Sequence, residues 1–112
     1  PQQTWSIAMA AVDLSATSSF PFIKVISSVG TTQQEVNLPP GKLRVSVGSD
    51  VEVLLATSGV SDGAAMPTDK LTIAANNLLE LELSNSSQDK IDKIAVAAST
   101  GTATISVVLE RA

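Results

Sequence analysis

The sequence predicts an all-β domain, an antiparallel β-sandwich or a jelly-roll-like small barrel of about eight short strands. Three observations predict it. Apolar residues recur at period two, as in Leu43, Val45 and Val47, which lets a strand bury one face. Clusters of Gly, Pro, Asn and Ser punctuate these runs near the roughly 8–12-residue spacing of a sandwich. The chain of 112 residues is 44% hydrophobic but only 3% aromatic, so its core must come from Val, Ile, Leu and Ala, and the branched members of that set suit a pleated sheet. A chain of this length buries one adequate core without disulfides, so residues 1–112 are read as a single domain, with 1–35 contributing an N-terminal arm or peripheral strands.

In residues 5–14, Trp5, Ile7 and Met9 alternate with Ala8, Ala10 and Val12, which favours a strand over a short helix. A polar break follows at 15–19. Residues 20–26 form the next strand, where Pro21, lacking an amide hydrogen, suits an edge or a strand start. Residues 29–37 read as a loop with one weak strand turn near Val36. In Leu38-Pro39-Pro40-Gly41, Pro40 fixes φ and Gly41 permits a positive φ, which predicts a type II reversal. Leu43, Val45 and Val47, then Val51, Val53 and Leu55, flank Gly48-Ser49-Asp50, the pattern of a hairpin. Residues 57–67 hold two glycines and end in Pro67, a long exposed loop.

Strand character resumes at 71–74 and breaks at Asn76-Asn77. Leu79, Leu81 and Leu83 then alternate with Glu80 and Glu82; strict alternation outweighs the helix propensity of 74–83. A polar turn at 84–88 precedes a strand marked by Ile94 and Val96. After a turn at 99–102, Ala103, Ile105, Val107 and Leu109 complete a terminal hairpin. The predicted core is Leu43, Val45, Val47, Val51, Val53, Ile73, Leu81, Ile94, Val96, Ile105, Val107 and Leu109. Leu54, Leu78 and Val108 fall on outward faces and call for a covering neighbour, hence a homo-oligomer.

The absence of histidine and cysteine removes Ser-His-Asp and Cys-His catalysis, His- or Cys-ligated zinc and disulfides. Seven basic residues against eleven acidic ones give a net charge of −4, and no basic cluster exists to track phosphates, so no nucleic-acid partner is expected. The apolar stretch 5–12 is too short to span a bilayer, and neither a leader nor a membrane anchor is read. Ser87-Gln88-Asp89-Lys90 matches Ser-x-x-Lys without its companion motifs. Glu80 and Glu82 are what an amphipathic strand places on its wet face. The aspartates at 50, 62, 69, 89 and 92 are turn residues first, with calcium a minor alternative at Ser61-Asp62-Gly63. No enzyme activity, cofactor or resident metal is expected.

The chain's three aromatic residues, Trp5, Phe20 and Phe22, all precede residue 23, and interface cores favour such residues. Long loops on a rigid sheet also carry recognition. Trp5, Phe20 and Phe22, with Val60, Asp62 and Met66 from the 57–67 loop, are therefore the candidate partner-contact residues. The competing reading makes both phenylalanines core and Trp5 half-buried packing.

From Val36 onward the chain carries Leu38-Pro39-Pro40-Gly41-Lys42-Leu43-Arg44-Val45, then Met66-Pro67, then Asp89-Lys90-Ile91-Asp92-Lys93-Ile94-Ala95-Val96 before Ser99-Thr100-Gly101-Thr102-Ala103-Thr104-Ile105. In style and order of segments, over about two-thirds of the chain, this resembles the small β-sandwich virion proteins of tailed bacteriophages. The resemblance implies a head-associated or decoration protein located in the virion, bound to the major capsid protein or another virion protein, and oligomeric, with a trimer among the forms to test. No catalytic residue carries over. Residues 1–35 fall outside the resemblance and are where it places a capsid-contacting arm. The alternative is a subunit of a bacterial surface fibre or adhesin, which shares the Ala, Ser, Thr and Val composition. A carbohydrate-binding module is disfavoured by the shortage of aromatics.

Overall fold

The computed structural model describes residues 11–39, 41–48, 50–83 and 92–110, and of residues 81–83 the backbone. These residues form nine strands and no helix: β1 (Val12–Asp13), β2 (Phe22–Val29), β3 (Gln34–Asn37), β4 (Gly41–Val47), β5 (Val53–Ala56), β6 (Leu71–Ile73), β7 (Leu78–Leu83), β8 (Lys93–Ala98) and β9 (Ala103–Glu110). They make a five-stranded sheet in the order β1-β3-β8-β5-β6 and a four-stranded sheet in the order β2-β9-β4-β7. All pairs are antiparallel except β1 and β3, which run parallel with Val12 opposite Val36. The architecture is a β-sandwich.

The inner faces explain why these segments are strands. In β4 and β9, Leu43, Val45 and Val47 stand in register with Leu109, Val107 and Ile105, and all six are buried. From the facing sheet come Val36, Val53, Leu55, Ile94 and Val96, also buried. Removing a side chain of this size from water contributes about 1.5–3 kcal/mol, so the alternation fixes which face of each strand turns inward. Of the other predicted core residues Ile73 is buried and Val51 is half-buried, because it precedes β5 in the connection from β4. The Leu81 side chain lies outside the described residues.

Two expected connections are corrected. Residues 43–47 and 51–55 are not a hairpin: β4 belongs to the four-stranded sheet and β5 to the five-stranded one. The terminal pair is likewise split, with β8 paired to β3 and β5 while β9 is paired to β2 and β4. The physical reason is common to both. Alternation shows which side chains face a core, and two facing sheets share the same core. Residues 38–41 also carry the chain between sheets, and Gly41, the first residue of β4, takes the positive φ expected of it, 141°; Pro40 lies outside the described residues. The region near Val36 is also more ordered than a loop, since Gln34–Asn37 pairs on both sides, with β1 and β8.

β2 is the edge strand that Pro21 suggests. Its register with β9 shifts between Ile26 and Val29, where Ser28 takes φ of 60°, a bulge that bends the strand. Lys24 stands opposite buried Val107 yet is exposed, so a charge on the core-facing side guards the edge against indiscriminate pairing.

Leu43→Ala and Ile105→Ala should each lower the unfolding free energy by about 2–5 kcal/mol, whereas Leu78→Ala, at a side chain 56% exposed, should change it by less than about 0.5 kcal/mol. Urea denaturation monitored by circular dichroism measures all three; comparable losses would contradict the assignment of faces.

Candidate functional site

The outer face of the five-stranded sheet holds the most organised surface feature. Val36 and Ile94 point inward as a pair, so the adjacent pair Glu35 and Ala95 points outward. Ala56 is opposite Ala95 and Leu54 opposite Ala97, which places Ala56, Ala95 and Ala97 on that outer face. Their exposures are 2%, 0% and 0%, so a further layer must cover them. Residues 57–67 supply it: the segment leaves β5 at Ala56 and is tied to β3, on the far side of β8. Alanines beneath it let a backbone lie close to the sheet.

The ties converge on Gln33, the one buried polar side chain among the described residues, 2% exposed. The Ser61 amide donates to Gln33 Oε1 at 2.7 Å. Gln33 Nε2 donates to the Ala65 carbonyl at 2.8 Å and reaches the Gly59 carbonyl at 3.5 Å. The Gln33 amide donates to the Ala64 carbonyl at 2.8 Å, and the Gly63 amide to the Gln33 carbonyl at 2.9 Å. Beside them the Glu35 amide donates to Asp62 Oδ1 at 2.9 Å. Gly59, with φ of 68°, lies where an added Cβ would stand 3.4 Å from Pro67 Cβ, so glycine suits both the backbone and the close approach. The segment expected as a long exposed loop is therefore a strap, exposed on its crest and fastened beneath.

The candidate contact residues divide between two parts of the fold. Val60, Asp62 and Met66 belong to the strap and are half-buried; Asp62 spends a carboxylate oxygen on the Glu35 amide. Phe20 and Phe22 are half-buried and pack against the core at the beginning of β2, in the other sheet. Trp5 lies outside the described residues. Of the outward apolar residues expected, Leu78 is exposed while Leu54 and Val108 are half-buried. Sequence reasoning missed Ile23 and Val25, 64% and 57% exposed, on the outer face with Val108 and Ser106 opposite them. It also missed Gln33. A glutamine inside a polar stretch gives no sign of being buried until the cover above it is known.

No comparison with protein families, characterised proteins or solved structures returns a significant match. The chemistry must be read from this chain alone. Glu80 accepts from Arg44 Nε at 2.6 Å and Glu110 from Arg44 Nη1 at 3.2 Å, an ion-pair cluster on the solvated face of the four-stranded sheet. Among the described residues, no three or more His, Cys, Asp or Glu side chains gather to hold a metal, and no helix is long and apolar enough to cross a membrane. The Ser87–Lys90 motif lies outside the described residues, as does the side chain of Glu82. An open cleft of about 240 Å³ is lined by residues 55–58 and by Asp69, Lys70 and Leu71. That is below the roughly 300–1,000 Å³ of small-molecule sites.

Among the described residues, Asp13 is an acid held low by its hydrogen bonds. The Ser15 hydroxyl donates to its Oδ1 at 2.6 Å and the Ser15 amide at 3.0 Å, and these bonds, the hydroxyl first, hold the carboxyl below its ordinary range. A carboxyl lowered in the folded state adds stability above its unfolded pKa, and that contribution is lost as the pH falls through the folded value. Carboxyl-detected NMR titration should show the Asp13 midpoint rising in Ser15→Ala; an unchanged midpoint would refute the assignment.

Proposed function

We propose that this chain is a non-enzymatic structural protein of a virion, which binds the capsid lattice and strengthens it as a homo-oligomer. The observation that carries the reading is the set of large apolar side chains left on the outer face of the four-stranded sheet, Ile23, Val25 and Leu78. Such residues find cover in an assembly. The strap adds a neutral loop on a rigid sheet, a usual platform for recognition. The resemblance of residues 36–112 to phage head-associated proteins supplies the kind of assembly, with the major capsid protein or another virion protein as the partner.

A surface-fibre or adhesin subunit is the second reading, favoured by one feature. β2 is eight residues long and pairs only with β9 among the described residues, leaving an edge to which a strand from another subunit could add.

Purified protein mixed with capsids that lack it should bind and raise their resistance to heat. The pair Ile23→Asp and Val25→Asp should lower capsid occupancy at least tenfold while the fold is retained, and Trp5→Ala should lower it less. A wild-type chain that neither binds capsids nor changes their heat resistance would overturn the virion reading in favour of the fibre.

A further inference from the structure

We infer that Gln33 is a positioning residue for partner recognition: a side chain that no partner can reach sets the shape of the 59–65 crest that a protein partner meets. The inference rests on the contact role proposed above for the strap.

Glutamine suits this position because both ends of its amide are used. Oε1 takes the Ser61 amide where the crest begins, and Nε2 holds the Ala65 carbonyl where it ends, so one planar group spans the turn. Between them the Gln33 main chain pairs with Gly63 and Ala64, and the Ala64 amide closes the turn on the Ser61 carbonyl at 3.1 Å. An apolar residue of the same length would fill the space and free both crest groups. A shorter amide would not reach.

The crest so held has a definite character. Gly59, Ser61, Gly63 and Ala65 are exposed, and Asp62, the one ionisable residue in 57–67, is turned to the Glu35 amide. What faces outward is neutral, small and rich in backbone groups. That surface fits close apposition to a protein and offers nothing to a polyanion. Because its conformation is fixed before contact, little ordering remains to oppose binding.

The test uses the full chain and the variant Gln33→Met, with amide hydrogen exchange by NMR and occupancy on capsids lacking the protein. In the wild type the Ser61 amide should exchange at least a hundredfold more slowly than in an unstructured peptide. In Gln33→Met that protection should fall at least tenfold while the Val45 and Val107 amides keep theirs, and capsid occupancy should fall at least fivefold through slower association. Unprotected Ser61 in the wild type, or a folded Gln33→Met that keeps Ser61 protected, would overturn the positioning role. So would a loosened crest that binds capsids as well as wild type does. A wild type that binds no capsid overturns the contact role as well, and is told apart by the wild type alone. Where Gln33→Met does not fold, the Gln33 side-chain amide protons of the wild type decide: slow exchange supports the role and exchange at the free rate refutes it.

Discussion

The burial of two aliphatic faces against each other is the constraint from which the rest of this structure follows. With aromatics at 3% of the chain, no single large side chain can anchor the interior. Leu43, Val45, Val47, Ile105, Val107 and Leu109 of one sheet must meet Val36, Val53, Leu55, Ile94 and Val96 of the other, all of them buried. The connections obey this demand: of consecutive strands only β5 and β6 are hydrogen-bonded neighbours, and every other step changes sheets. Strand pairing is therefore mostly non-local, as when Phe22 pairs with Leu109, a topology associated with slow folding.

The strap answers a second consequence of that plan. β8 lies in the middle of the five-stranded sheet, and its residues Ile94 to Ala98 are all buried, so it needs cover on both faces. The core covers one face and residues 57–67 the other. A cover made of loop carries backbone amides and carbonyls that water cannot fully serve, and leaving such groups unpaired would cost about 1–3 kcal/mol each. Gln33 satisfies several together. One element thus completes the packing of the sheet and displays a fixed surface to the outside.

Much of this was legible in the residues, and the parts that were not have physical causes. Period-two alternation located the strands and nearly all the core, because burial of one face dictates that pattern. It placed Leu79 and its neighbours in a strand despite helical propensity. It could not say which sheet a strand joins, so the glycine-containing turns at 48–50 and 99–102 looked like hairpins although they cross the sandwich. The run Phe22-Ile23-Lys24-Val25-Ile26 hid its outward members because apolar residues stand on both faces and the one charge, Lys24, is on the core-facing side; only the pairing with β9 separates exposed Ile23 and Val25 from buried Ile26. Gln33 was invisible for another reason. Its burial depends on a segment some thirty residues later, and no local pattern reports that.

The central claim is that this sandwich meets other proteins through the outer face of β2 and the crest of the strap, as part of a capsid. Electron cryomicroscopy of capsids carrying the chain, compared with capsids lacking it, tests this most directly. The account predicts extra density bound to the capsid lattice, with Ile23, Val25 and residues 59–65 at contacts to the shell or to neighbouring copies. Density that leaves both surfaces in solvent would contradict it.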